Sequence, residues 1–319
     1  QILFHKSMDL VNVLHSKFAK KNQISKPKEF LKFNPIVKLG KFNVGDNYPT
    51  YIIAEAGLNH NGDIETAKKL ILEAKKCGCN SIKFQSFIAD KRVSKNVKSA
   101  KYAEEADGLQ ENIHEMFERL SLNKKKTREI FNFAKKQKIQ IFSTPFDENQ
   151  VDLLEDLNVS FYKIASVDLV NLPLLEKVSK TKKPVILSTG MSTLSNIEDA
   201  VDVFRRNENN NLILLHCLSS YPANENEMNL NVIKNLKRNY NIPVGLSDHY
   251  PGIEVSLLSI GLGANIIERH FTLDKKFEGP DHILSKTLRL YLEMDTKEFN
   301  RVSILRSTLK EKACLRKQK

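Results

Sequence analysis

The sequence predicts an α/β protein of the TIM (β/α)8 barrel class, because eight short apolar β-like runs alternate with helical patterns along its length. Parallel strands need crossover connections of about a dozen residues, and a barrel with outer helices covers both faces of the sheet. No Gly-x-Gly-x-x-Gly motif follows the first run, which argues against an open doubly wound sheet. With 319 residues the chain is long enough for one barrel, which commonly fills about 250 residues.

The predicted strands are short apolar runs that end in polar residues. In chain order they are Tyr51–Gly57, Ser81–Phe87, Gln140–Phe146, Phe161–Ser166, Pro184–Gly190, Leu212–Cys217, Pro243–His249 and Asn265–Phe271. Helical periodicity is clearest over Ile64–Cys77, which a glycine follows, and a further helix is predicted over Lys124–Gln137. The connection between strands two and three is unusually long, and Lys91–Gln110 is predicted to form a lid or loop there.

The distribution of charge suggests the domain boundaries. The formal net charge is +12, of which residues 1–46 and 301–319 each carry +6. We therefore predict a basic N-terminal extension over 1–45, the barrel over 46–312 and a basic tail over 313–319. Because the body between the ends is balanced and no aromatic residues are interleaved with the lysines, a nucleic-acid partner is not expected.

Cysteine usage and hydropathy indicate a cytoplasmic protein. The four cysteines show neither a secreted disulfide framework nor a second pair for a zinc site. No apolar run approaches the roughly 20 residues that span a bilayer, and no signal-peptide core precedes the fold. A membrane partner is therefore not expected either.

Ionisable residues cluster at the carboxyl ends of the predicted strands, where α/β barrels carry their chemistry. The seventh and eighth strands, which are neighbours in a barrel, end in His249 and His270. With Glu268 and Asp281 nearby, these histidines predict a divalent metal site. His216 on the sixth strand stays an open candidate.

Lys83 and Lys163 are flanked by apolar residues on strands that converge on the same mouth. Together with strand-end hydroxyls they predict a cradle for a phosphate or a carboxylate. A desolvated Lys163 would also qualify as a Schiff-base lysine. Glu55 ends the first strand amid alanine and glycine, and this apolar setting predicts a raised pKa and proton transfer. The Asn59-His-Asn-Gly62 that follows is predicted to be a tight turn that caps the helix.

Nine motifs, in order and on every predicted strand, resemble the sialic acid synthase (N-acetylneuraminate synthase) family, which includes legionaminate and pseudaminate synthases. The resemblance covers about residues 50–285. The motifs are Ala54-Glu-Ala-Gly-Leu-Asn-His-Asn-Gly62, Ile82-Lys-Phe-Gln85, Phe142-Ser-Thr-Pro-Phe146, Tyr162-Lys-Ile-Ala-Ser166, Ile186-Leu-Ser-Thr-Gly-Met191, Leu215-His-Cys217, Gly245-Leu-Ser-Asp-His249, Glu268-Arg-His-Phe-Thr272 and Gly279-Pro-Asp281.

The resemblance implies a transferase that condenses phosphoenolpyruvate with the open-chain aldehyde of an N-acyl-mannosamine-type sugar, giving a nine-carbon 2-keto acid and phosphate. It implies that His249 and His270 bind Mn²⁺, or Mg²⁺ or Co²⁺, as the Lewis acid that polarises the aldehyde. Glu55, Asp281 and Glu268 are the implied catalytic residues. The implied substrate-binding residues are Lys83, Gln85, Thr144, Lys163, Ser166, Ser188, Ser219, Tyr221 and Ser247.

The sequence departs from the family pattern in two ways. Family members typically carry a small C-terminal antifreeze-like domain whose arginine reaches the partner's sugar site, and this chain shows no such domain before Lys319. Ser219 stands where neuraminate-type members have asparagine. The resemblance implies a homodimer, and it leaves the acceptor open among neuraminate-, legionaminate- and pseudaminate-type precursors. The alternatives are a Schiff-base aldolase that uses Lys163 and a catalytically silent barrel that acts as a binding subunit.

Overall fold

The structure of the protein is a computed structural model, and it describes residues 31–95, 112–282 and 285. By its contacts the chain divides into a unit that ends at Lys32 and a unit that begins at Phe33. All elements below belong to the second unit. Most of the predicted lid and the whole predicted tail over 313–319 lie outside the described residues.

Eight parallel strands form the central sheet, and a two-stranded antiparallel hairpin precedes them. The hairpin strands are β1 (Val37–Leu39) and β2 (Phe42–Val44). The sheet strands are β3 (Tyr51–Gly57), β4 (Ser81–Ser86), β5 (Gln140–Pro145), β6 (Tyr162–Ile164), β7 (Val185–Ser188), β8 (Leu212–Cys217), β9 (Val244–Asp248) and β10 (Ile266–His270). All eight predicted strands are present.

The sheet is nearly closed into a barrel. Its hydrogen-bonded order is β5-β4-β3-β10-β9-β8-β7-β6, so that the last strand pairs with the first of the eight. Strands β5 and β6 lie against each other at the seam, where the ring centroids of Phe142 and Phe161 are 4.4 Å apart. This arrangement confirms the predicted (β/α)8 class.

Most of the helices cover the outside of the sheet, whereas Ala89–Arg92 and Ile113–Leu120 pack at the carboxyl ends of the strands. The helices are α1 (Ile64–Lys76), α2 (Ala89–Arg92), α3 (Ile113–Leu120), α4 (Lys124–Gln137), α5 (Glu148–Asp156), α6 (Leu172–Lys180), α7 (Leu194–Arg206), α8 (Asn231–Tyr240) and α9 (Glu254–Leu262). Helix α1 begins where the Asp63 side chain accepts from Thr66 N at 2.7 Å, and Gly78 follows its end with a φ of +71°. In the part of the chain that the structure describes, no helix has the length and apolarity to cross a membrane.

The hairpin closes the amino-terminal end of the barrel. Val37, Leu39 and Val44 are fully buried and pack in one cluster with residues from the first half of the sheet strands, including Tyr51 and Ile266. The sequence assigned these hairpin residues to the extension over 1–45, whereas the structure packs Val37, Leu39 and Val44 into the barrel core. The alternation of apolar residues at positions 37, 39, 42 and 44 explains the difference, because one face of the hairpin is apolar.

Strand alternation places apolar side chains at the base of the barrel interior and polar side chains at its mouth. On β3 the inward series runs from Ile53 to Glu55, and on β10 it runs from Ile266 through Glu268. Glu55 is paired in register with Lys83 on one side and with a histidine of β10 on the other. The register therefore brings the ionisable residues of different strands to one level.

Candidate active site

A cavity of about 330 Å³ opens at the carboxyl ends of the strands. Its lining contains every site residue that the sequence predicted except Thr144, which lies beside it and accepts a hydrogen bond from Lys83 at 3.3 Å. The predicted residues in the lining are Glu55, Lys83, Gln85, Lys163, Ser166, Ser188, Ser219, Tyr221, Ser247, His249, Glu268, His270 and Asp281.

Two lysines and a glutamate form the buried floor of the cavity. Glu268 Oε1 lies 3.3 Å from Lys163 Nζ and accepts from Ser247 Oγ at 3.1 Å, and Glu268 Oε2 lies 3.8 Å from Lys83 Nζ. The lysine side chains are only 5% and 3% exposed. Because buried charges are costly unless paired, this carboxylate stabilises both ammonium groups when no anion occupies the cavity.

The two lysines differ in their electrostatic surroundings. Burial alone would lower the pKa of Lys83, but Glu268 and Glu55 outweigh it and hold this pKa above its ordinary value. Burial lowers the pKa of Lys163, and Lys83 adds to this effect against the opposing Glu268. For Glu268, burial would raise the pKa, but Lys163 and Lys83 hold it below its usual range. The floor therefore keeps the Glu268 carboxylate ionised between the two lysines.

Glu55 lies in a polar setting, which differs from the apolar setting that the sequence predicted. Its Oε2 lies 2.8 Å from Lys83 Nζ, and its Oε1 accepts from Gln85 Nε2 at 3.1 Å. Alternation explains the difference, because the neighbouring alanines of β3 point outward while Glu55 points inward. The carboxylate is thus held in place by two residues of β4.

Hydroxyl groups line the cavity beside the lysines. Ser166 Oγ accepts from Gly190 N at 3.0 Å, and a Cβ on Gly190 would lie 2.5 Å from Ser219 Oγ. This close approach of three loops needs glycine at position 190. Ser188 Oγ is buried and has no hydrogen-bond partner among the described residues. The cavity therefore offers at least one buried donor that a ligand can use.

The two strand-end histidines lie next to each other on the other side of the cavity, with ring centroids 5.5 Å apart and ring planes inclined by 55°. His249 Nδ1 is bonded to the Leu218 carbonyl at 2.8 Å, which leaves its Nε2 lone pair available. Burial, with a contribution from His270, lowers the pKa of His249 to about 3. The ring of Tyr221 stacks on His249 with a centroid separation of 4.1 Å.

The residues present fit a divalent cation bound by these two imidazoles. His249 is neutral, as a ligand must be, and His270 Nδ1 is buried without a hydrogen-bond partner, 3.6 Å from Asp281 Oδ2. The sequence placed Glu268 near this pair as well, but its hydrogen bonds and ion pairs go to the lysines and Ser247. Among the described residues no set of three or more His, Cys, Asp or Glu side chains is arranged to hold a metal ion.

A buried ion pair joins the two residues that precede the histidines, on the outer face of the sheet. Arg269, which precedes His270, is 2% exposed and lies 3.2 Å from Asp248 Oδ2, which precedes His249. Arg269 also bonds the Tyr250 carbonyl and donates to Ser256 Oγ at 3.1 Å. These contacts tie the ends of β9 and β10 together, so that the two imidazoles have fixed backbone positions.

The model of the NeuB family matches residues 70–305, a stretch that contains both lysines and both histidines. The chain belongs to the NeuB family. It is similar to the N,N'-diacetyllegionaminic acid synthase of Campylobacter jejuni, with 46% identity over 235 residues, 73% of this chain and 70% of the relative. The N,N'-diacetyllegionaminic acid synthase of Legionella pneumophila is 40% identical over 245 residues, 76% of this chain and 69% of the relative.

A solved structure is similar over most of the chain. The N-acetylneuraminic acid (sialic acid) synthetase of Leptospira borgpetersenii, crystallised with citrate, superposes with a TM-score of 0.77 and 36% identity. The similarity covers 86% of this chain and 90% of that chain. Family membership confirms the resemblance that the nine motifs indicated. The relatives are named as synthases, and this member of the family is an enzyme.

One wall of the cavity was missed by the sequence reasoning. Helix α3 contributes Met116 and Phe117, and the guanidinium of Arg92 lies over the Phe146 ring, 3.5 Å from its centroid. This helix falls in the long connection between β4 and β5, after the lid or loop that the sequence predicted over Lys91–Gln110. Asn112 with Glu115 forms a capping box there, and that spacing was the available signal.

Neighbouring residues at the end of β8 face opposite sides of the sheet, and only one of them lines the cavity. Cys217 lines the cavity, although the sequence gave its thiol no role in the site. His216, the open candidate, points the other way, and its Nε2 is bonded to the Met228 carbonyl at 2.6 Å. It does not line the cavity, because neighbouring residues of a strand face opposite sides of the sheet.

Proposed function

We propose that the protein condenses phosphoenolpyruvate with the open-chain aldehyde of an N-acyl-mannosamine-type sugar to give a nine-carbon 2-keto acid and inorganic phosphate. The observation that carries the proposal is one cavity that holds two buried lysines with hydroxyls on one side and two histidines on the other. A dianionic enol phosphate suits the first side, and a metal-bound aldehyde suits the second. The named synthases among the relatives support the same reaction class.

Phosphoenolpyruvate carries a phosphate and a carboxylate, and the floor offers a buried ammonium group for each. Lys83 and Lys163 would bind these groups, with hydroxyl donors from Ser166, Ser188 and Ser247. Charge-assisted hydrogen bonds are stronger in a low-dielectric setting, and both lysine side chains are buried. Because Glu55 and Glu268 already pair with these lysines, bound phosphoenolpyruvate would compete with the two carboxylates for the ammonium groups.

His249 and His270 would hold the divalent cation, for which Mn²⁺ is the first candidate and Mg²⁺ or Co²⁺ the others. When bound, the ion would supply Lewis-acid polarisation of the aldehyde oxygen of the sugar. The Leu218 carbonyl orients His249 through Nδ1, and Asp281 lies beside Nδ1 of His270. A hydrogen bond such as that of His249 orients a ligating imidazole, whereas Nδ1 of His270 has no hydrogen-bond partner among the described residues.

The reaction forms one carbon–carbon bond, and the protons taken up and released along it must balance. C3 of the enol phosphate attacks the aldehyde carbon, and the aldehyde oxygen takes up a proton to become a hydroxyl. Water then adds to the electron-poor C2 and loses a proton, and the tetrahedral intermediate expels phosphate as C2 becomes a ketone. Glu55 is the proposed proton-transfer residue, because its carboxylate faces the cavity and is fixed between Lys83 and Gln85.

For the acceptor we propose a sugar with two N-acetyl groups. Two relatives are named N,N'-diacetyllegionaminic acid synthases. The apolar wall made by Leu58, Met116, Phe117 and Phe146 supports this choice, because it offers a surface for acetyl methyl groups. The homodimer and the cytoplasmic location expected from the sequence stay predictions.

The test is a panel of N-acyl hexosamines, each incubated with phosphoenolpyruvate and Mn²⁺, with phosphate release and the mass of the keto acid as readouts. We expect both products only when both substrates and the metal are present. His270→Asn should abolish turnover, whereas His216→Asn, at a buried strand histidine outside the cavity, should retain it. Full turnover after chelation, or by His270→Asn, would contradict the proposal. Phosphoenolpyruvate binding without turnover would favour the silent binding subunit instead.

A second candidate, a Schiff-base aldolase, is favoured by one observation. Burial and the neighbouring Lys83 lower the pKa of Lys163, which favours the neutral amine that attacks a carbonyl. Borohydride in the presence of the carbonyl substrate should then trap an adduct on Lys163, and Lys163→Arg should not be trapped. The condensation proposal predicts no adduct in either protein.

A further inference from the structure

The loop that carries Asp281 has no regular structure. Residues 272–282 contain no helix or strand, and residues 275–278 within them are exposed. Yet Asp281 Oδ2 lies 3.6 Å from His270 Nδ1, inside the cavity. A carboxylate on such a loop keeps its position only through side-chain and backbone contacts with the barrel.

The contacts come from the turn after β3, which the sequence explained only as a turn and helix cap. Asn59 is 1% exposed, and its amide donates to the Phe271 carbonyl at 2.9 Å and to Ser285 Oγ at 2.7 Å. Ser285 Oγ in turn donates to the Asp281 carbonyl at 2.5 Å. One buried amide therefore holds the loop on both sides of Asp281.

The same turn also contacts Asp281 and its loop directly. The backbone N–H of Leu58 donates to Asp281 Oδ2 at 3.4 Å, and a Cβ on Gly57 would lie 2.8 Å from that oxygen. Farther along the loop, Asn61 Nδ2 donates to the Glu278 carbonyl at 2.8 Å. Gly57 has a φ of +50°, so both its conformation and this close approach require glycine.

We propose that Asn59 is a positioning residue for the reaction: through Phe271 and Ser285 it sets the distance between the Asp281 carboxylate and His270. The inference rests on the proposed function, since it gives Asp281 a role at the reacting sugar. Asn59 itself touches no substrate, because it does not line the cavity. Asn59 acts through the loop. Loss of its hydrogen bonds would displace the Asp281 carboxylate, which would still be present.

The experiment compares Asn59→Ala with Asn209→Ala. Asn209 is a matched control, because it is also 1% exposed and donates both amide hydrogens, to the Ser179 carbonyl at 3.1 Å and the Lys183 carbonyl at 3.0 Å. It lies at the amino-terminal end of β8, away from the cavity. We expect Asn59→Ala to lower kcat by about 10- to 100-fold, the effect of misplacing a reacting group by about 1 Å. The KM for phosphoenolpyruvate should stay within about twofold.

A double-mutant cycle separates positioning from general destabilisation. In an Asp281→Ala background, adding Asn59→Ala should change kcat by less than about twofold, because the group that Asn59 positions is absent. Adding Asn209→Ala should have the same small effect in both backgrounds. An equal loss from Asn59→Ala with and without Asp281, or an equal loss from the two asparagine variants, would overturn the proposal. If Asn59→Ala fails to fold, Ser285→Ala replaces it, since it breaks only the link to Asp281.

Deuterium exchange of the backbone amides of residues 271–282 tests the contact without any turnover. Exchange there should rise in Asn59→Ala and stay unchanged in Asn209→Ala. Unchanged exchange in Asn59→Ala would overturn the proposal even if the enzyme is active. Raised exchange in a protein that turns over no acceptor would instead place the failure in the proposed function.

Discussion

Neighbouring charges determine the direction in which the pKa of each buried lysine of the cavity is shifted. Lys83 and Lys163 are equally buried, yet their pKa values move in opposite directions, because Lys83 faces two carboxylates whereas Lys163 faces one carboxylate and Lys83. The sequence predicted both lysines from strand alternation. It did not predict that Glu55 and Glu268 pair with them, because those contacts depend on the register between strands that are distant in the chain.

The residue-scale prediction concerns stability in acid. His60 is 1% exposed and stacks on Phe84 with a centroid separation of 5.8 Å. Burial, with a smaller contribution from Lys126, lowers its pKa from 6.5 to about 4. Between those pH values the unfolded chain binds a proton that the folded protein does not, so stability falls as the pH falls. This residue alone should account for about 3 kcal/mol of lost stability.

Urea unfolding followed from pH 7 to pH 4 checks this prediction. The variant His60→Asn keeps an acceptor near the position of Nδ1, which accepts from Gly62 N at 3.0 Å, but it has no titrating group. Its free energy of unfolding should decline less steeply over this range than that of the unsubstituted protein. If the free energy of unfolding declined equally steeply with pH in both proteins, the attribution of the acid destabilisation to His60 would be contradicted.

Elements with a strong hydrophobic period were predicted well, and short or atypical ones were not. The eight strands and α4 appear where the sequence placed them, because a buried parallel strand reads as an apolar run and an amphipathic helix reads as a 3.6-residue period. The hairpin β1–β2 was missed because its lysines were read as part of a basic extension. Helix α3 was missed because it is a short helix inside a long connection.

The element-scale prediction tests whether the hairpin belongs to the barrel core. Leu39 is fully buried in the cluster at the base of the barrel, whereas Asn43 of the same hairpin is exposed. Leu39→Ala should therefore lower the free energy of unfolding by about 2–5 kcal/mol, and Asn43→Ala should change it by less than about 0.5 kcal/mol. Chemical denaturation of both variants is the measurement. A small effect of Leu39→Ala would show that the hairpin contributes little to the fold.

At the scale of the whole molecule, the site is spread over strands that lie far apart in the chain. Its ionisable residues run from Glu55 on β3 to Asp281 beyond β10, and only the nearly closed sheet brings them around one cavity. The sequence predicted this convergence from the rule that barrel enzymes carry their chemistry at the carboxyl ends of the strands. It could not predict the Asn59 contacts to the loop, because they join residues more than 200 positions apart.

The path of the oxygen that bridges phosphorus and C2 of phosphoenolpyruvate tests the central claim most directly. If water adds at C2 and the tetrahedral intermediate expels phosphate, the carbon–oxygen bond breaks. With ¹⁸O at the bridging position, an N-acyl hexosamine acceptor and Mn²⁺, the released phosphate should carry the label and the keto acid should not. Label retained in the organic product would mean cleavage of the phosphorus–oxygen bond, and it would contradict the condensation proposed for this cavity.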